Sequence, residues 1–320
     1  MYRPRFFIAD KKFIGANCGL IPLTVRRKPG QGRCKVMGRS RSPMSSTERK
    51  LPWGAPTLLG VPFDKNSSFR RGSAAAPPLI RDALRCGSSN MCTELGVDVG
   101  AEGAYADAGD LRLGEGDPFP TIEQAVEELL EKRKRPVCLG GDHSITYPIL
   151  RAFGRRFKDL TLIHFDAHPD LYDEFQGSRN SHASPFARIM EEKLTRRLIQ
   201  VGIRTMNAAQ EKQAKRFGVE VYKIGHQRAL EEVKTWCPVY VSFDMDVLDP
   251  AFAPGVSHRE PGGMSVREVL EHLHSITATI VGADIVEYNP ARDVSELTAT
   301  VAGKILKEVM GKMMTSCTCP

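Results

Sequence analysis

Three apolar runs in this 320-residue chain stop abruptly at acids and histidines. The run 136–139 leads into Gly140-Gly141-Asp142-His143-Ser144. The run 160–165 leads into Asp166-Ala167-His168-Pro169-Asp170, and 239–243 leads into Asp244-Met245-Asp246. Short apolar runs of this kind read as buried strands. A buried strand that ends in polar residues places them at a sheet edge, and the carboxyl edge is where open α/β sheets bind ligands.

Four more runs read as strands, at 57–61, 198–203, 219–222 and 279–286. Helical patterns lie between them. Ile122, Ala125, Val126, Leu129 and Leu130 fall on one helix face, as do Val266, Val269, Leu270 and Leu273, and later Val301, Ile305 and Val309. These stripes are core faces rather than a cofactor box. Strands alternating with helices predict an α/β fold: three layers, with a mainly parallel sheet and helices on both faces.

The three motifs supply His143, Asp166, His168, Asp170, Asp244 and Asp246. Residues two apart in an extended segment point the same way, so Asp166, His168 and Asp170 can converge, joined by Asp244 and Asp246. Taken singly, Asp-x-Asp after a strand is a turn or helix cap, and a loop histidine is solvated. All three motifs at strand ends favour a metal centre. Two imidazoles and four carboxylates exceed what one small ion needs and suit two ions bridged by carboxylates. The oxygen-rich set favours manganese over zinc.

The same residues carry a family resemblance. The chain resembles the ureohydrolases, the family of arginase, agmatinase and their relatives, from about Thr57 to the last helical stripe. The matching segments are Asp166-Ala167-His168-Pro169-Asp170, Ser242-Phe243-Asp244-Met245-Asp246-Val247-Leu248-Asp249-Pro250 and Val286-Glu287-Tyr288-Asn289-Pro290. Asn66-Ser67-Ser68-Phe69, Ser181-His182-Ala183-Ser184 and Val256-Ser257-His258-Arg259-Glu260-Pro261-Gly262-Gly263 resemble plant-type arginases in particular.

This resemblance implies the arginase-like three-layer fold and two manganese ions per protomer. Asp166 and Asp244 would bridge the ions. His143 and Asp170 would complete one, and His168 and Asp246 the other. Glu287 would bind the guanidinium, His182 would relay protons, and Asp170 would pass a proton to the departing amine. Asn66, Ser67 and Ser68 are expected as polar donors at the rim. The implied reaction is that of an arginase, L-arginine and water to L-ornithine and urea, by a metal-bridging hydroxide attacking the guanidinium carbon. Two divalent ions, four aspartates, a hydroxide and Glu287 leave a formal charge of −2, which attracts a cationic guanidino substrate.

Agmatinase is the rival within the class. A non-catalytic binding or regulatory subunit is the rival outside it, although none of the six ligands is missing. A single-zinc deacetylase of related fold would need fewer. Homotrimers or homohexamers are the implied assembly. Animal-type arginases place Asn two residues after the last Asp of the Asp-Ala-His-x-Asp motif, where this chain has Tyr172.

Charge divides the chain. Residues 1–50 hold 13 Lys/Arg and 2 Asp/Glu, so the remaining residues carry a slight net negative charge despite the overall +7. A slightly acidic body argues against a nucleic-acid partner. No apolar run approaches the roughly 18 residues of a membrane span. Residues 1–50 read as a basic transit presequence and 51–320 as a single catalytic domain. Mitochondrial and plastid signals look alike, and the plant-type resemblance turns the choice toward the mitochondrion. A start at Met44 would leave the protein cytoplasmic. The eight cysteines lack framework spacing and suit a reducing compartment, with Cys317 and Cys319 in the tail. Asp142 reads as a neighbour hydrogen-bonding around the metal ligands, Asp249 as a turn residue, and Asp110 as support for the site rim. His226, His258, His272 and His274 show no ligand-like spacing except 272/274, a pair in a helical pattern, where residues two apart do not face each other.

Overall fold

A computed structural model describes residues 54–225, 230 and 238–315 of the chain. The basic segment, Met44, His226, Cys317 and Cys319 lie outside these residues. The described residues build one eight-stranded sheet in the order β2-β1-β3-β8-β7-β4-β5-β6, parallel throughout. The strands are β1 (Pro56–Val61), β2 (Ala106–Asp110), β3 (Arg135–Gly140), β4 (Thr161–Phe165), β5 (Arg197–Ile203), β6 (Glu220–Lys223), β7 (Val239–Asp244) and β8 (Ile280–Val286). The helices are α1 (Ala76–Arg85), α2 (Phe119–Glu131), α3 (Thr146–Arg156), α4 (Pro185–Glu191), α5 (Ala208–Phe217), α6 (Val266–Ser275) and α7 (Leu297–Thr315).

Alternation along the strands divides the core in two. Val137 and Leu139 of β3 join a cluster with Ile80, Leu84, Leu270, Ile305 and Val309, under α1, α6 and α7. Cys138, between them, joins Ile122, Val126, Ile149, Phe153 and Phe186, under α2, α3 and α4. Both faces of the sheet are therefore covered, as expected of parallel strands. Local chemistry sets the helix ends. Asn207 with Gln210 and Ser265 with Glu268 form reciprocal capping boxes that start α5 and α6. Gly218, left-handed at φ 66°, ends α5.

β2 departs from the sequence pattern. Its residues, Ala-Asp-Ala-Gly-Asp, contain no large apolar side chain, and four of the five are exposed. It is an edge strand held by a cation: Arg81 of α1 pairs with Asp107 and Asp110 and donates to the Gly109 carbonyl. Asp110 therefore serves the sheet edge and not the rim of the site.

The four central strands, β3-β8-β7-β4, end side by side on one edge. Gly141 fixes the exit from β3. Its N–H donates to the Val61 carbonyl, and the Asp142 N–H donates to that of Phe63. A Cβ on Gly141 would stand 1.7 Å from the Phe63 carbonyl oxygen, inside the backbone leaving β1. Overpacking of this kind costs about 1–3 kcal/mol or more. Gly141→Ala is expected to lower the unfolding free energy by that order, read as a lower urea midpoint, and to loosen the segment carrying His143. An unchanged midpoint would show that the β1 exit can move aside.

Candidate metal centre and substrate pocket

Each proposed ligand stands just beyond, or at the end of, a central strand. After β3, Asp142 caps a 3-10 turn, His143–Ile145, by accepting from the Ser144 N–H and hydroxyl. Asp166, His168 and Asp170 follow β4. Asp244 ends β7 and caps the turn Met245–Val247, which carries Asp246. Glu287 follows β8. Asp170 and Glu287 are left-handed, at φ 49° and 64°. That conformation is unfavourable for residues with a Cβ and tends to cluster at functional sites.

These turns bring all six residues together. His143 Nδ1 lies 3.1 Å from Asp166 Oδ2, 3.1 Å from Asp170 Oδ2 and 3.1 Å from Asp244 Oδ2. His168 Nδ1 lies 3.0 Å from Asp246 Oδ2 and 3.3 Å from Asp166 Oδ1. Asp166 thus turns one oxygen toward each imidazole, as a carboxylate shared by two ions would. Two groups with metal-ligand spacing result among the described residues, His143/His164/Asp166 and Asp166/His168/Asp246, joined at Asp166. The five ligands other than His168 are buried.

The electrostatics call for cations. His143 Nδ1 is buried, and none of its three carboxylate contacts has hydrogen-bond geometry. Burial alone would lower the pKa of His143, yet Asp166, Asp170 and Asp244 raise it far above normal. His168 is likewise raised against burial, by Asp246 and Asp166. Burial, with Asp246 and Asp166 nearby, pushes Asp244 well above the usual carboxylate range. Burial and Asp166 bring Asp246 to about 6. Without ions, bound protons must take the place of positive charge. An unsatisfied nitrogen facing three carboxylate oxygens fits a divalent cation, and the mixed N/O donor set suits manganese or a similar ion.

A polar frame holds these ligands. Arg204 donates to the Asp246, Val247 and Glu260 carbonyls, fixing the turn after β7. Asn66 N–H donates to Asp142 Oδ2 and its side-chain amide to Ser144 Oγ, while Ser67 Oγ donates to Asp142 at 3.4 Å. Asn66 and Ser67 are therefore committed to the loop after β3. Ser68 lines the pocket.

His164, two residues before Asp166, has no counterpart in the motif reading. The Gln200 amide lies 3.1 Å from its Nδ1, and its Nε2 lies 2.8 Å from Asp166 Oδ2. With Gln200 donating to Nδ1, the proton sits on Nε2 and is donated to Asp166. Two-residue alternation along β4 puts His164 on the same face as Asp166, and that is the signal by which it could have been found.

Glu287 and His182 stand as a pair beside this cluster. Glu287 Oε1 accepts from the His143 N–H at 2.9 Å and lies 2.8 Å from His182 Nδ1. The Ser68 N–H donates to His182 Nε2 at 3.1 Å, so in this arrangement the ring proton sits on Nδ1 and is donated to Glu287. Burial disfavours a charge on this ring, whereas Glu287 pulls its pKa up to about 9. A second proton, on Nε2, would displace the Ser68 amide. Glu287 Oε2 is buried and has no partner. The pocket above is lined by Ser68, Tyr172, Phe175, Thr205, Gln210 and His258 as well as His168, Asp170, Asp244 and Asp246. His258 stands with its ring centroid 5.2 Å from that of His182 and 6.0 Å from that of His168. Its place at the mouth depends on the bridge between Val256 and Tyr288, which no local spacing records.

Comparison with known proteins agrees with this geometry. The model of the Arginase family matches residues 55–311. Arginase 1, mitochondrial, of Arabidopsis thaliana is 46% identical over 296 residues, covering 86% of each chain. The agmatinase of Bacillus subtilis is 37% identical over 79% of this chain and 90% of its own. The structure of arginase from Medicago truncatula superposes with a TM-score of 0.76 at 41% identity, covering 81% of this chain and 87% of that one. The chain belongs to the arginase family.

Proposed function

We propose that this chain is a binuclear manganese arginase, hydrolysing L-arginine to L-ornithine and urea. The observation that carries the reading is Glu287 Oε2, a buried carboxylate oxygen without a partner beside the six-ligand cluster. A guanidinium is planar, permanently charged and presents N–H donors in a fork, so it suits such an oxygen. His143, Asp166, Asp170 and Asp244 would hold one ion, and His168, Asp166, Asp244 and Asp246 the other. When bound, such ions lower the pKa of water and supply a nucleophile near neutral pH.

The remaining work falls to side chains. Glu287 orients the guanidinium, with its own position fixed by the His143 N–H and the His182 ring. Asp170 reaches into the pocket from its left-handed turn and passes a proton to the departing amine. His182 relays protons at the pocket wall.

Arginine is favoured over agmatine for two reasons. The plant relatives named arginase are more similar in sequence than the agmatinase. The pocket wall also offers polar donors: the hydroxyls of Ser68, Tyr172 and Thr205 and the amide of Gln210 can meet the carboxylate of the amino acid. A site built for a charged partner rejects an analogue lacking it by a few kcal/mol.

One experiment tests both points: urea release from arginine and from agmatine by the manganese-loaded protein and its Glu287→Gln variant. Arginine should lead in kcat/KM by about a hundredfold or more. A charge-assisted hydrogen bond is worth about 1.5–3 kcal/mol, so Glu287→Gln should lose about ten- to a hundredfold or more with metal content unchanged. A preference for agmatine overturns the arginase reading, and wild-type activity in the variant removes Glu287 from substrate binding.

Residues 1–50 are proposed as an organelle presequence, in keeping with the mitochondrial names of relatives from Arabidopsis, rice and Medicago truncatula. A fluorescent protein fused behind residues 1–43 should enter mitochondria. Plastid import would redirect the assignment, and a diffuse cytosolic signal would favour a start at Met44.

A further inference from the structure

Behind the metal centre lies a second buried carboxylate that the reaction does not use. Asp284, three residues before Glu287 in β8, is fully buried. Three hydroxyls surround it. Ser242 Oγ donates to Oδ1 at 2.7 Å, Tyr240 Oη to Oδ2 at 2.8 Å and Thr146 Oγ1 to Oδ2 at 3.0 Å. Ser242 and Asp284 are register partners on neighbouring strands, so the pair is built into the sheet. Of the three hydroxyls, Ser242 leads toward the site, because its Oγ lies 3.0 Å from His143 Nε2.

Donor and acceptor roles follow from this chain of contacts. An ionised carboxylate only accepts, so the Ser242 O–H must point at Asp284. The serine oxygen then has only lone pairs left for His143, and Nε2 must carry the ring proton. Nδ1, facing Asp166, Asp170 and Asp244, is left with the lone pair that a metal ligand needs. From this geometry we infer that Asp284 and Ser242 are positioning residues that set the tautomer of His143 and thereby the affinity of one of the two ions. The inference rests on the metal reading above. Partners on the distal nitrogen of a metal-bound histidine are a general means of fixing ring orientation and basicity.

Two substitutions act on this relay differently. Ser242→Ala removes it. Asp284→Asn inverts it: an amide that keeps its oxygen toward Tyr240 and Thr146 turns its NH2 toward Ser242. The serine hydroxyl is then free to donate to His143 Nε2, which moves the ring proton to Nδ1, where the ion should bind. Tyr240→Phe is the control, because it takes a hydroxyl from the same carboxylate without touching the Ser242–His143 link.

The test is manganese(II) titration of the full chain after chelator stripping, with free ion followed by electron paramagnetic resonance. Wild type should bind two ions. Ser242→Ala and Asp284→Asn should weaken one of them by about 10- to 100-fold and leave the other unchanged. Tyr240→Phe should retain both affinities. The relay is overturned if Ser242→Ala binds both ions at wild-type affinity, loses both in parallel, or is matched by Tyr240→Phe. A wild-type chain that binds fewer than two ions overturns the metal reading itself, and the inference with it. Should Asp284→Asn not fold, Ser242→Ala against Tyr240→Phe decides.

Discussion

Four aspartates that converge on two imidazoles repel one another, and the rest of the molecule is organised around that repulsion. Like charges a few ångströms apart in a water-poor site cost far more than on a surface. His143 Nδ1 meets three carboxylate oxygens at 3.1 Å, which is tolerable only if a cation stands among them. The scaffold that enforces this is rigid: four adjacent parallel strands, buried on both faces, end on one edge. On the proposed reading, metal binding would be coupled to folding. Ions that bind the folded chain and not the unfolded one stabilise it by mass action.

The motifs at the strand ends were readable because the chemistry and the local period agree. A parallel strand buried on both faces is a near-continuous apolar run, so its end is conspicuous, and Asp166, His168 and Asp170 then follow with the spacing of two that points them together. Seven of the eight strands announce themselves by an apolar stretch, β6 by a short, alternating and half-buried one. β2 does not, since Ala106–Asp110 is held by Arg81 from α1 rather than by apolar burial. The link between Asp284, Ser242 and Tyr240 was invisible for the opposite reason. The three sit inside apolar runs, where a single polar residue carries no local signal, and only the register of β7 against β8 joins them. His258 reached the mouth through an equally long-range bridge.

The structure also separates two roles that the sequence ran together. Asn66, Ser67 and Ser68 looked alike as donors for substrate. Asn66 and Ser67 instead brace Asp142 and Ser144, the loop that presents His143, while Ser68 orients His182. His182 in turn braces Glu287, so one short loop supports both a proposed metal ligand, His143, and the carboxylate proposed to bind the guanidinium, Glu287. This sharing means that changes in residues 66–68 should not be read as substrate effects alone. The pocket beyond presents the hydroxyls of Ser68, Tyr172 and Thr205 from loops and the Gln210 amide from the first turn of α5, which is where selectivity between related guanidines can be set without disturbing the proposed chemistry below.

The central claim is that Asp166 and Asp244 bridge two ions. Electron paramagnetic resonance of the manganese-loaded protein tests it most directly, because bridged ions interact magnetically and isolated ones do not. The account predicts two ions per protomer with an exchange-coupled spectrum that becomes that of isolated manganese when one ion is withdrawn. A single ion at saturation, or two ions with uncoupled signals, would contradict it.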